Sequence, residues 1–410
     1  MAPTRVVVVG AGMVGLSCAW SLLGHGAEVE VLDKGAAGAG SSWGNAGYIS
    51  PAFTVPLPEP SVLRYGVRAV LDPRSPVRVP WRPDAERARF LWHLARNCTD
   101  AKWARAMGGY RRLNERIFAA FDAQRDAGVP APVREAAVLA AFARAADADG
   151  ILHELDAVAA AGQPVEMDIL TGAQAREAEP NLTDRIALAV RVMGQRYLDP
   201  VAYTAALAEQ VRVRGGKVTE HARVTGVARQ GGRTVVRTAD GTRDADAVVL
   251  AAGAWLPGLA AAHGVRVPQF GGRGYSFTVP LRRPLRGPLY FPAVRSALAP
   301  RDGRARVTGV MEFQRPDAPP DPAHVPATVR AVRPLLDAGW DQVRDRWVGA
   351  RPLTADGVPL VGPSATDGVY IAGGHGMWGV TLGPLTGRLL ADHIMTGAMP
   401  PELAWLDPLR

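Results

Sequence analysis

At 410 residues the chain is too long for one simple core and predicts two domains; its apolar fraction of 48% is ordinary for a globular protein, and no uninterrupted apolar run is long enough to span a bilayer. The net charge of +8 comes from arginine, since Lys34, Lys102 and Lys217 are the only lysines; it reads either as a codon-biased, solvated surface or as attraction for anionic substrates or an anionic membrane surface, and no basic stripe interleaved with aromatics points to nucleic acid. Two cysteines, Cys18 and Cys98, are too few for a disulfide framework or a metal cage.

The first element is the run Val6-Val7-Val8-Val9, four β-branched residues that predict a strand buried on both faces. Gly10, Gly12 and Gly15 follow with the spacing G-x-G-x-x-G, Met13 among them, and a helix through Leu16, Ala19 and Leu23 comes next. Gly10 permits a tight turn, Gly12 lets backbone approach a pyrophosphate, and Gly15 lets helix and strand pack closely. A second strand, Glu28 to Leu32, ends on Asp33, about twenty residues past the glycines, where a carboxylate would bind an unphosphorylated ribose. The reading is therefore FAD or NAD rather than NADP. Because this motif interrupts the apolar N-terminus, the segment is expected to be a strand of the mature protein and not a signal peptide, which with the scarce cysteines suggests a cytoplasmic location.

Residues 35–51 are small, with Ser41, Ser42, Asn45, Ala46 and Gly47 able to approach phosphate or an aromatic ring, or to form a plain flexible loop. A Pro-rich stretch from Pro56 to Pro83 mixes Leu63, Tyr65, Val67, Val70 and Leu71 with Arg64 and Arg68. It reads either as a covering segment of a second domain or as a short amphipathic helix over a site or on a membrane surface. Residues 84–127 have helical spacing; Val133 to Phe142 reads as a strand, 146–161 as a helix, Val165 to Leu170 as a strand, Gly172 to Glu179 as a helix and Ile186 to Met193 as a strand. Asp199 and Pro200 start a helix as N-cap and first residue. Strands follow from Val218 to Val227 and from Arg233 to Thr238. Ala247 to Trp255, through Ala252 and Gly253, reads as a second buried parallel strand that brings backbone near the same dinucleotide.

Residues 267–310 are turn-rich with strand alternation, which predicts antiparallel sheet, and a helix is expected near 327–336. Near the C-terminus a strand from Gly368 to Ala372 runs into Gly373-Gly374-His375-Gly376-Met377-Trp378-Gly379-Val380-Thr381, which opens a helix. Free amides and a positive helix end make this a second anion site. Two nucleotide motifs at opposite ends of the chain do not suit NAD; they suit FAD, one for the pyrophosphate and one for the isoalloxazine ring.

These residues, with the Ser-Ser-x-x-Asn-Ala-Gly loop, Asp72-Pro73-x-Ser75-Pro76, the Val-Val-Leu-Ala-Ala-Gly-Ala-Trp strand, Arg351-Pro352 and Asp356-Gly357, resemble over nearly the whole chain the FAD-dependent amine oxidoreductases of the D-amino-acid oxidase and glycine oxidase superfamily, most of all bacterial D-amino-acid dehydrogenases. The resemblance implies an α/β, Rossmann-like FAD-binding domain of the glutathione-reductase type (residues 1–60, 197–266 and 346–410) interleaved with an α+β substrate domain containing a mixed or antiparallel sheet (61–196 and 267–345). It implies that Arg351 grips a substrate carboxylate, that the Met377 carbonyl accepts from the amine, and that Trp378, Tyr275 and Tyr290 wall the pocket. Gly10, Gly12, Met13, Gly15, Asp33, Lys34, Ser41, Ser42, Asn45, Ala46, Gly47, Val224, Ala252, Gly253, Trp255, Gly374, His375, Gly376, Gly379, Val380 and Thr381 would surround the cofactor. No cysteine lies near the C-terminal turn, so FAD is expected to be non-covalent.

The implied reaction is oxidation of a D-amino acid to an imino acid, which hydrolyses to a 2-oxo acid and ammonia, with oxygen or a quinone as electron acceptor. The alternatives are the same scaffold acting on glycine, sarcosine or a cyclic secondary amino acid, a non-catalytic flavoprotein subunit, and a NAD-linked dehydrogenase, against which the Gly-His-Gly turn argues.

Overall fold

A computed structural model describes residues 4–62 and 75–410. The expected amphipathic helix carrying Leu63, Tyr65, Val67, Val70 and Leu71 lies outside the described residues.

The N-terminal valines form the strand Arg5–Val9, with Val6, Val7 and Val8 fully buried, at the centre of a six-stranded sheet. Its order is Lys217–Thr219, Glu28–Leu32, Arg5–Val9, Ala247–Leu250, Val369–Gly373 and Leu360–Pro363. The first five run parallel, in register Val6↔Val29 and Val6↔Ala247, and the last is antiparallel. Parallel strands buried on both faces explain why these segments are nearly continuous apolar runs.

Two helices cover one face of this sheet, Met13–Gly24 and Gly379–Thr396. They touch because two glycines of the second remove side chains from the contact: a β-carbon on Gly383 would stand 2.6 Å from Met13 Cγ, and one on Gly387 would stand 2.4 Å from the Ser17 carbonyl carbon. This close packing brings the two glycine-rich turns, at opposite ends of the chain in sequence, to one end of the sheet, at the carboxyl ends of its central strands.

A second, nine-stranded sheet is mixed. Its order is Arg344–Thr354, Gln269–Pro280, Arg304–Phe313, Ser296–Arg301, Leu289–Phe291, Val138–Phe142, Leu188–Val192 and Met167–Thr171, with Val77–Arg78 beside Arg304–Phe313. Its pairs are antiparallel except Leu289–Phe291 with Val138–Phe142 and Val77–Arg78 with Arg304–Phe313.

Several boundaries differ from the sequence expectation for local reasons. The 84–127 region is three helices, Ala85–Asn97, Asp100–Asn114 and Ile117–Asp126. Thr99 starts the second by accepting from the Lys102 amide. Val133 to Phe142 divides into Val133–Glu135 and Val138–Phe142, which join different sheets. Val218 to Val227 also divides: after Lys217–Thr219 the chain turns through His221, at φ 56°, and resumes as Val224–Gln230 in a small antiparallel sheet. The helix expected near 327–336 is His324–Val332. Asp199 caps Pro200–Val213 as expected, accepting from the Val201 amide at 2.9 Å.

Candidate active site

A cavity of about 960 Å³ lies between the two sheets and reaches both glycine-rich turns. At the first turn each glycine has its own role. Gly10, at φ +114°, would place a β-carbon 2.3 Å from the Ala251 carbonyl oxygen, and Gly15 would place one 1.9 Å from the Gly10 carbonyl oxygen. A β-carbon on Gly12 would meet only Ser42 Oγ, at 3.5 Å, so this glycine leaves open the space that faces the cavity. The Ser42 hydroxyl accepts from the Met13 amide at 3.1 Å. Asp33 accepts from the Ala11 amide at 2.7 Å and from the Gly35 amide at 2.8 Å, which fixes its carboxylate at the cavity edge.

Nearby, Lys34 Nζ stands 3.1 Å from the Trp255 ring centre and 3.6 Å from Asp317, and the Trp255 indole donates to Asp317 at 2.8 Å. Burial lowers the Lys34 pKa, partly offset by Asp317. Val224, Ala252 and Gly253 complete this end. Arg223 also lines it, although one arginine among so many carries no local signal in the sequence.

At the second turn, His375 is buried, and its Nε2 is 2.9 Å from the Thr386 hydroxyl. Burial lowers its pKa to about 4, so the imidazole is neutral. Gly376, Met377, Trp378, Gly379, Val380 and Thr381 line the cavity. The Trp378 indole donates to the Val55 carbonyl at 2.8 Å and the Thr381 hydroxyl to the Tyr48 carbonyl at 2.9 Å, locking the start of the helix Gly379–Thr396. Two predicted glycines stand behind the wall instead of in it. Gly47, at φ +78°, lies against the Leu198 carbonyl, and Gly374, at φ +69°, lies against Thr354. Both shape the turns on which cavity residues sit.

Ser41, Ser42, Asn45 and Ala46 line the middle of the cavity. The Ser41 hydroxyl donates to the Ala350 carbonyl, next to Arg351.

Arg351 comes from the strand Arg344–Thr354 and crosses its neighbour opposite Gly272. A β-carbon on Gly274 would stand 2.3 Å from Arg351 Nη2, so glycine at 274 is what allows the guanidinium to lie there. Opposite Gly274 the strand Arg304–Phe313 bulges: Val310 and Met311 together face one residue, and Val310 adopts φ 62°, rare for a β-branched side chain. The Val310 carbonyl accepts from Arg351 Nη1 at 3.1 Å. No carboxylate among the described residues pairs with Arg351, and burial lowers its pKa to about 10, leaving it cationic at neutral pH. A cation held by backbone carbonyls at a cavity wall is built to receive an anion.

Tyr275 and Tyr290 line the cavity as expected. The Tyr275 hydroxyl is committed: it accepts from Arg273 at 2.8 Å and from the Asp321 amide at 2.9 Å, and donates to Glu312 at 2.9 Å. Phe53 packs edge-on to Tyr290 at 6.3 Å, and Glu59, Glu154 and Arg295 complete the wall. None of these four stood out in the sequence; Glu154 lies on a helix whose apolar spacing looks purely structural.

The arrangement fits FAD. The open space at Gly12, the fixed Asp33 carboxylate and the Gly379–Thr381 helix start provide backbone donors and room at two ends of one cavity.

The sequence pattern of the FAD-dependent oxidoreductase family matches residues 5–393. A D-amino acid dehydrogenase of Cereibacter sphaeroides (strain ATCC 17029 / ATH 2.4.9) is 35% identical over 405 residues, covering 95% of this chain and 91% of that protein. One of Azorhizobium caulinodans is 30% identical over 409 residues, covering 97% of each. Glycine oxidase from Geobacillus kaustophilus has the same fold, with TM-score 0.75 and 24% identity over 99% of each chain. Among the described residues no helix is long and apolar enough to cross a membrane. A Gly12 cradle, a second glycine turn beside it and a sequence match across almost the whole length lead to one assignment: the chain belongs to the FAD-dependent oxidoreductase family and is a FAD-dependent enzyme of amino-acid oxidation.

Proposed function

We propose that this enzyme oxidatively deaminates D-amino acids, giving a 2-oxo acid and ammonia by way of the imino acid. The observation that carries this reading is Arg351, a cation without a carboxylate partner among the described residues, held at the wall of a cavity that reaches both glycine turns. The D-amino acid dehydrogenases to which the chain is similar support the choice of substrate.

Bound FAD would supply the acceptor for the hydride that leaves the substrate's α-carbon. The protein's own part is binding and orientation. Arg351 pairs with the α-carboxylate through two parallel N–H donors. The Met377 carbonyl takes an N–H of the amine, and the rings of Tyr275, Tyr290 and Trp378 exclude water from the reacting carbon. Amides at the start of the helix Gly379–Thr396 lie where negative charge would be stabilised. His375, neutral and bonded to Thr386, serves as a fixed packing group rather than a proton carrier.

The division of labour follows residues 1–60, 197–266 and 346–410 for FAD and 61–196 and 267–345 for substrate. The six-stranded sheet, drawn from residues 5–32, 217–250 and 360–373, supports the first set. The strand Arg344–Thr354 crosses the boundary and carries Arg351 to the substrate side. Oxygen or a quinone takes the electrons onward. Peripheral contact with an anionic membrane is supported by Trp81 and Trp92, 86% and 55% exposed, with exposed Arg82, Arg89 and Arg96 nearby in sequence. Absence of salt-sensitive vesicle binding would remove that part of the proposal.

The test is product balance. With an artificial acceptor, each mole of D-amino acid consumed should yield one of 2-oxo acid and one of ammonia. Acceptor reduction without ammonia would contradict deamination, and formation of an amine in its place would shift the reading to a secondary amine.

A further inference from the structure

We infer that Glu154, backed by Glu59, forms an acidic end of the substrate cavity that selects amino acids with a cationic side chain. This deepens the D-amino-acid reading and rests on it.

Glu154, on the helix Asp149–Ala160 with Ile151, lines the cavity, whose wall also includes Phe53, Val138, Tyr290 and Arg295. It is partly buried and makes no hydrogen bond or ion pair with any described residue. A carboxylate kept in such a wall without a partner is costly, and a ligand cation would relieve that cost. Glu59 lines the same cavity and repels Glu154, while Arg295 offsets part of the effect. Burial first, and Glu59 second, raise the Glu154 pKa to about 7. A ligand cation beside Glu154 would oppose this rise.

The cavity wall therefore carries a cation, Arg351, and an ionisable acid, Glu154, neither with an ion-pair partner among the described residues. Arg351 comes from the strand Arg344–Thr354 and Glu154 from the helix Asp149–Ala160, two separate elements of its wall. A ligand with a carboxylate at one end and an ammonium at the other satisfies both. The α-ammonium alone is a competing partner for Glu154, and the experiment separates the two.

The test uses the FAD-loaded enzyme and two probes without an α-amine, 6-aminohexanoate and hexanoate. Binding is read from the change in flavin absorbance. The wild type should bind 6-aminohexanoate more tightly than hexanoate by on the order of tenfold or more, and Glu154→Gln should remove that preference. In turnover, the kcat/KM ratio of D-lysine to its uncharged analogue D-norleucine should fall by a similar factor in Glu154→Gln, and Glu154→Lys should turn the preference toward D-glutamate. Equal binding of the two probes by the wild type would overturn the inference. So would equal losses for D-lysine and D-norleucine, which would place the α-amine at Glu154. If no D-amino acid is oxidised, the deamination reading fails while the probe comparison still tests the acidic end.

Discussion

Arg351 lies across Gly274, with its Nη2 only 2.3 Å from where a β-carbon on that glycine would stand. The position of the proposed carboxylate-binding group thus depends on the absence of a side chain on the neighbouring strand. Gly274→Ala should displace the guanidinium, raising KM for every amino acid substrate while FAD content stays at the wild-type level. A variant with wild-type KM would show that Arg351 does not receive the carboxylate in this position.

Replacing the cation itself is the more severe change. Arg351→Met removes the paired donors, for a loss of kcat/KM of about 10²–10³-fold, and Arg351→Lys should recover only part of it because an ammonium cannot make two parallel bonds. Steady-state kinetics on both variants, with FAD content as the control, decide this; full recovery by lysine would contradict a bidentate role.

The first glycine turn separates folding from cofactor binding. A β-carbon on Gly12 meets nothing closer than Ser42 Oγ at 3.5 Å, whereas one on Gly15 meets the Gly10 carbonyl oxygen at 1.9 Å. Gly12→Val should give folded, colourless protein that FAD does not reconstitute. Gly15→Val should be destabilised or insoluble. Circular dichroism and visible absorbance read the two effects independently, and a yellow Gly12→Val protein would contradict the proposed pyrophosphate site.

His375 predicts a pH dependence of stability. Its folded-state pKa, lowered by burial from 6.5 to about 4, lies below its value in the unfolded chain. The unfolded state therefore binds a proton first as pH falls, so this contribution is complete above about pH 6.5 and is lost progressively toward pH 4, by up to about 3 kcal/mol. Urea midpoints of wild type and His375→Asn between pH 7 and pH 4 should converge on acidification. Parallel curves would show that the imidazole is not held neutral.

Much of the cofactor end was legible because its determinants are local: Val6 to Val9, the three glycines and Asp33 lie within 28 consecutive residues, each with a distinct backbone role. The Gly373–Thr381 turn was legible for the same reason. Arg351 was reached only through resemblance, since nothing adjacent in sequence marks it among many arginines. Gly272, Gly274 and the strained Val310 that hold it come from other strands, and in sequence they look like weak points in ordinary sheet. Glu154 was invisible because its neighbours Ile151 and Leu155 make its helix read as a core element. Breaks such as that at His221 depend on which sheet each half-strand joins, a long-range choice that periodicity does not encode.

The measurement that bears most directly on the central claim is an anaerobic visible spectrum of the purified protein before and after addition of pooled D-amino acids, with pooled L-amino acids as the control. Flavin absorbance should bleach with the D pool and stay unchanged with the L pool. A flavin that remains oxidised with both pools, or that bleaches with the L pool alone, would contradict D-amino-acid oxidation.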